Sequence, residues 1–134
     1  MDPTWAARQT ESMGTDYDIH LDVKYEHGTL IDVAAEAAAH EPWFNQTLTQ
    51  VDDAVVRLGV IEGDFHWHKH DDQDEFFFVL EGELMIDLRE GDRTVTLGRH
   101  QAFAVPRSVV HRTRAAGRTT VLMVEAAGVA PTGD

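Results

Sequence analysis

Apolar residues in this chain come in short bursts, and turn-forming residues separate the bursts at intervals of roughly 8 to 12 positions, the spacing of an all-β sandwich or barrel. The bursts at 54–60, 65–70, 76–80, 84–88, 94–97, 102–105, 109–114 and 119–125 predict eight strands. Each gap between them (62–64, 71–74, 81–83, 90–92, 98–100, 106–108 and 116–118) carries glycine, proline or aspartate, residues suited to turn conformations. Eight short strands without a longer repeat predict a jelly roll, whose two sheets close over an interior with room for a small molecule. Upstream, Tyr17, Ile19, Leu21, Val23 and Tyr25 alternate with Asp18, His20, Asp22 and Lys24, which predicts a leading strand with one buried face. Residues 32–41 read as one short helix: Asp32 is a suitable N-cap, alanines dominate the interior, and Pro42 lies just past the end. The first sixteen residues are polar and aperiodic and read as a loose tail, leaving 17–134 as a single domain.

Composition narrows the partners. A length of 134 residues suits one core. The net charge of −13 argues against nucleic acid and anionic membrane surfaces, both of which call for a basic face. The chain has no cysteine, so disulfide and thiolate chemistry are absent. No apolar run of signal-peptide or membrane-spanning length is found, and a cytoplasmic location is expected.

Candidate chemistry concentrates at Gly63-Asp-Phe-His-Trp-His-Lys-His-Asp-Asp-Gln-Asp-Glu75. In a strand, His66, His68 and His70 share a face at intervals of about 6.6 Å, close enough for two imidazoles to hold one ion. Glu75 lies an odd step from His70, so both can be ligands only if the aspartate-rich segment 71–74 turns the chain. His111, beyond the 102–105 strand and the turn at Pro106, is the candidate for a further ligand. Imidazoles with a carboxylate suit a divalent transition metal (Fe, Mn, Ni, Co or Zn) and not the oxygen-only shells of Ca or Mg.

The pattern resembles the cupin superfamily. Its first motif, a glycine, H-x-H, three or four residues, E, six residues and G, is matched by Gly63, His68, His70, Glu75 and Gly82. The second, G-x5-P-x-G-x2-H, is matched at Pro106 and His111, with His100 and Ser108 standing at the two glycine positions. Over roughly residues 29 to 134 the text is similar to small single-domain bacterial cupins of the RmlC-like, mannose-6-phosphate isomerase-like kind. The resemblance implies a double-stranded β-helix barrel and places metal ligation on His68, His70, Glu75 and His111. It gives His66 no ligand role, and His66 is expected to line the pocket beside the ion. The competing reading, a histidine-rich surface stretch that chelates metal adventitiously, would leave the agreement at Glu75, Gly82, Pro106 and His111 to chance.

Parity assigns the neighbours. Arg112 and Arg114 fall on the face opposite His111, where solvent is expected. Phe76, Phe77 and Phe78 are expected to pack in the core. Trp67 points outward, which together with the apolar leading strand predicts a homodimer. Four protein ligands on an ion that prefers six leave two positions for a small oxygen-rich substrate, and the leading reading is a metal-dependent isomerase, carbonyl-acting enzyme or dioxygenase. No catalytic residue off the metal is assigned. The alternative is a non-catalytic small-molecule or metal-binding module with a sensing or storage role.

Overall fold

The computed structural model describes residues 17–133; the expected N-terminal tail, 1–16, lies outside them. The strands are β1 (Asp18–His20), β2 (Phe44–Val51), β3 (Ala54–Asp64), β4 (Glu75–Glu81), β5 (Leu84–Leu88), β6 (Arg93–Leu97), β7 (Ala102–Val105) and β8 (His111–Ala126), with one helix, α1 (Val33–Ala38). They form a jelly-roll sheet in the order β1-β2-β3-β8-β4-β7, with β5 also on β8 and β6 on β5. The sheet does not close into a continuous ring.

β8 organises the molecule. Antiparallel β3 pairs with it from Ala54↔Ala126 to Asp64↔Arg114, while on its other edge β5 takes the first residues and β4 the later ones. A turn at 116–118 is not formed, contrary to expectation. Residues 116–118 stay extended without a paired partner, as an irregularity opposite Glu62 between the pairs Ile61↔Thr119 and Gly63↔Ala115, and the ladder with β3 continues on both sides.

Two further expectations are corrected. Residues 65–70 form no strand beyond a single bridge, His68↔His111, because 71–74 turns away before a ladder can extend. The leading strand is cut to Asp18–His20, parallel to Phe44–Gln46; beyond it Leu21 and Val23 are exposed. The Gln46 side-chain amide donates to the Asp22 carbonyl at 2.8 Å, and backbone pairing resumes only at Lys24 N to Thr47 O, 3.1 Å. β2 itself was missed, since Phe44-Asn-Gln-Thr-Leu-Thr-Gln mixes polar and apolar positions around a bulge between Thr47 and Thr49.

The helix forms where expected. Asp32 accepts from Ala35 N at 3.0 Å as N-cap, and the Arg118 guanidinium, reaching from mid-β8, donates to the Ala37 and His40 carbonyls at 2.7 and 2.9 Å. Ala37 packs with Phe44, Leu48, Leu58 and Val60 on the outer face of β2 and β3. The main core lies on the inner face, around Ile61, Phe77, Val79, Leu84, Ile86, Val121 and Met123.

The motif glycines have physical reasons. Gly82 turns β4 into β5 at φ +88°, and a Cβ there would stand 2.5 Å from Thr119 Oγ1 and 2.8 Å from the Arg118 carbonyl. At the two second-motif positions without glycine, His100 and Ser108 still take left-handed backbone, φ +68° and +69°. Ser108 N donates to His70 O at 2.7 Å and its Oγ to Asp71 O at 3.0 Å, which ties the turn before β8 to the histidine segment.

Candidate metal centre

Three separate pieces of chain meet at one point of the inner face. The 65–70 segment lies antiparallel to the start of β8, with His68 N to His111 O at 2.9 Å and His111 N to His68 O at 2.8 Å, so the two rings come side by side. β4 opens at Glu75, immediately after the acidic turn. As a result one nitrogen each of His68, His70 and His111 and one oxygen of Glu75 lie within 4.8 Å of one another, and all four residues are buried. Ligands at about 2.0 to 2.2 Å from a shared ion are separated by up to about 4.4 Å, so small side-chain shifts suffice to hold one.

The hydrogen bonds around the cluster point the ring nitrogens inward. His68 Nδ1 donates to the His66 carbonyl at 3.1 Å, and His111 Nδ1 donates to the Val109 carbonyl at 2.9 Å. In a neutral ring that leaves Nε2 with a bare lone pair, the tautomer a metal ligand needs. His111 Nε2 stands 3.2 Å and His70 Nε2 3.4 Å from Glu75 Oε1, so lone pairs face a carboxylate oxygen unless a cation or proton intervenes. His70 is the sharper case: its side chain is 2 % exposed, and neither ring nitrogen makes a hydrogen bond. A buried imidazole left this way is costly, and a cation in the cluster would satisfy its Nε2, the nitrogen that faces Glu75.

Electrostatics agree. Burial, then the nearby His111 ring, pushes the His68 imidazole down to about 3, which keeps it neutral and able to bind metal at neutral pH. Burial works to raise the Glu75 carboxyl, but its contacts with His111 and His70 prevail and hold it well below the usual carboxylate range. A neutral His68 ring, the His70 and His111 imidazoles and an ionised Glu75 carboxylate form a borderline donor set suited to the transition metals named above.

His66 stands elsewhere. Its Nε2 faces the Thr132 carbonyl at 2.9 Å and its ring lies 4.2 Å from that of Phe65; it is neither in the cluster nor on the cavity wall. The expected pocket-lining role is therefore corrected: the chain past Ala126 comes back over this side and takes up the ring. Gly133 shows how close that segment passes, since a Cβ on it would lie 2.6 Å from His68 Cβ.

For the arginines the expected face holds, but the expected solvent exposure does not. Arg112 and Arg114 do face away from His111, but both converge on Asp87, with Nε to Oδ2 distances of 2.8 and 2.7 Å. Arg112 also stands over the Trp67 ring at 5.0 Å, with Arg89 at 4.6 Å. Of the three phenylalanines Phe77 is in the core, Phe78 is half-buried beside His100, and Phe76 is 39 % exposed.

Sequence reasoning passed over a buried pair behind the cluster. Arg57 Nε lies 2.9 Å from Glu125 Oε1, and Arg57 also donates to the Val129 carbonyl at 3.1 Å. Burial, together with the charge of and hydrogen bond with Glu75, pushes the Glu125 carboxyl well up, against the pull of Arg57. The signal was present: each is a charged residue in the middle or at the end of an apolar run, on the inward parity of its strand.

An open cavity adjoins the cluster, enclosing about 560 Å³ with solvent at its mouth included, and His68 and Glu75 form part of its wall. A buried three-histidine, one-glutamate cluster at the mouth-side end of a jelly roll defines a class, and comparison with known proteins agrees. The cupin-domain family profile matches residues 50–126, and the chain belongs to the cupin family. It is 44 % identical over 81 residues to the uncharacterized protein YdbB of Bacillus subtilis (strain 168), covering 60 % of this chain and 71 % of that one. Among solved structures, a cupin-2 domain containing protein from Shewanella frigidimarina superposes with a TM-score of 0.68 at 28 % identity, over 72 % of this chain and 94 % of the other. Protein NMB1881 from Neisseria meningitidis superposes with 0.66 at 23 % identity, over 73 % and 99 %. Among the described residues no helix is long and apolar enough to cross a membrane.

Proposed function

We propose that this cupin is a metal-dependent enzyme that acts on a small molecule bearing adjacent oxygen donors. His68, His70, Glu75 and His111 would hold one divalent transition ion. The observation that carries this is the His70 ring, buried without a hydrogen bond at either nitrogen and aimed with two other imidazoles at a buried carboxylate. Such an ion supplies Lewis-acid polarisation of a carbonyl or hydroxyl oxygen, or a place for O₂ when it is iron. The chain's own contribution is positional: carbonyls 66 and 109 fix two imidazole tautomers, the Ser108 turn anchors the histidine segment, and a mainly apolar wall lines the approach to the cluster.

Isomerisation, carbonyl chemistry and dioxygenation all use this arrangement, and a direct assay separates them. Protein loaded in turn with Fe(II), Mn(II), Co(II), Ni(II) and Zn(II) is screened for oxygen uptake and, by NMR, for conversion of diketones and hydroxy acids. At least one loaded form should turn over a substrate, with His111→Ala lowering the rate by a hundredfold or more. Stoichiometric ligand binding without turnover in every loaded form would instead make the protein a non-catalytic binding module.

A further inference from the structure

The cavity beside the cluster supports an inference that rests on the metal reading above and narrows its substrate. Ile61, Phe65, Phe77, Val121, Met123 and Trp43 supply much of the wall. Three rings group at one side of it: Tyr17 and Phe65 centroids are 4.8 Å apart, Tyr17 and Trp43 5.6 Å, and Trp43 and Phe65 5.3 Å. Gly59 also lines the cavity, and a Cβ there would meet Met123 Cε and Val121 Cγ2 at 3.1 Å each, so glycine leaves those wall side chains their room.

The wall is mainly apolar, and its polar residues besides His68 and Glu75 are Tyr17, Asp18, Asn45 and Thr113. Among the lining residues Asn45 presents a buried Oδ1 without a hydrogen-bond partner, which asks for one donor. A sugar carries a hydroxyl on nearly every carbon, and this wall would leave most of them unpaired at a cost for each. A flat ring fits the same wall by burial and by edge or tilted contacts with the aromatic trio. We infer that the ligand is a single-ring aromatic, or a molecule comparably apolar and flat, that turns one or two oxygen donors toward His68 and Glu75 and lays its ring against Ile61, Phe65, Phe77 and Val121.

The test compares mandelate with lactate, which present the same hydroxy-acid oxygens to a metal and differ by phenyl for methyl. Metal content of Co(II)-loaded protein is measured first, and both probes are then titrated into the same sample by calorimetry. Mandelate should bind on the order of tenfold to a hundredfold more tightly, the effect of burying a ring beyond a methyl. Gly59→Ala, which crowds the wall at Met123 and Val121, and Val121→Thr, which makes it polar at equal size, should each shrink that ratio, and either variant suffices if the other fails to fold. Metal-loaded protein that binds the two probes equally, or prefers lactate, overturns the aromatic assignment alone. Wild-type protein that takes up no metal overturns the metal reading and this inference with it.

Discussion

At the scale of single residues, the two second-motif positions without glycine show how a side chain can replace what glycine would give. Ser108 accepts φ +69° and offsets the strain by tying its backbone and hydroxyl to His70 and Asp71. His100 adopts φ +68° with its N–H on the Val79 carbonyl at 2.7 Å, a bond that glycine would keep, and its side chain adds a stack on Phe78, ring centroids 6.2 Å apart. His100→Gly should therefore stabilise the fold by about 0.5–1 kcal/mol in denaturant unfolding, whereas Ser108→Gly should gain nothing. Gly82 is the opposite case. Its Cβ position is already filled by Thr119 and backbone, so Gly82→Ala should destabilise by about 2 kcal/mol or more, read from the same unfolding midpoint. Most of this was legible beforehand, since His68, His70, Glu75, His111 and Gly82 stand at motif spacing. What the spacing could not carry was His66, whose partner Thr132 is 66 positions away, and Arg57 with Glu125, whose meeting depends on the register between β3 and β8.

At the scale of elements, the helix is pinned by one carboxylate. Glu36 is buried, which alone would raise it, but hydrogen bonds from Lys24, Tyr25 and His40 together outweigh that and hold it at about 2. A carboxyl depressed in the folded state adds stability that is complete above its unfolded value of about 4.5 and is lost as pH falls toward its folded value. The melting temperature should thus decline between pH 4.5 and 2, and Glu36→Gln should flatten that part of the profile while lowering stability at neutral pH; an unchanged profile would remove Glu36 from the account. The helix itself was readable because Asp32, the alanines and Pro42 are local signals. The strands at 65–70 and 17–25 were overread because alternation says which face a side chain would take, not whether a neighbouring strand is there to pair with. β8 is one strand where the sequence suggests two for a related reason: Ala116-Gly117-Arg118 looks like a turn locally, and only the ladder with β3 resuming on both sides shows it to be an irregularity within one strand.

At the scale of the whole molecule, exposed apolar residues and the metal cluster set the remaining expectations. Leu21 and Val23 follow the edge strand β1 at 56 % and 43 % exposure, Phe76 adds 39 %, and the homodimer that the sequence suggested stays the proposal for covering them. Trp67 belongs less to that argument than expected, because two guanidinium groups already stand over its ring. Sedimentation should report about twice 15.0 kDa, and a monomer at micromolar concentration would refute the dimer. An ion bound only by the folded chain stabilises it by about 2.7 kcal/mol at a hundred times its dissociation constant, so a chelator should lower the melting temperature of wild type but not of His68→Ala. The most direct measurement is elemental analysis of purified, metal-exposed protein alongside His70→Ala, with circular dichroism to show that both are folded. The account predicts one transition ion per wild-type chain and a large loss in the folded variant; a wild type without such an ion, or a variant that keeps it at full stoichiometry, would contradict the assignment of the cluster.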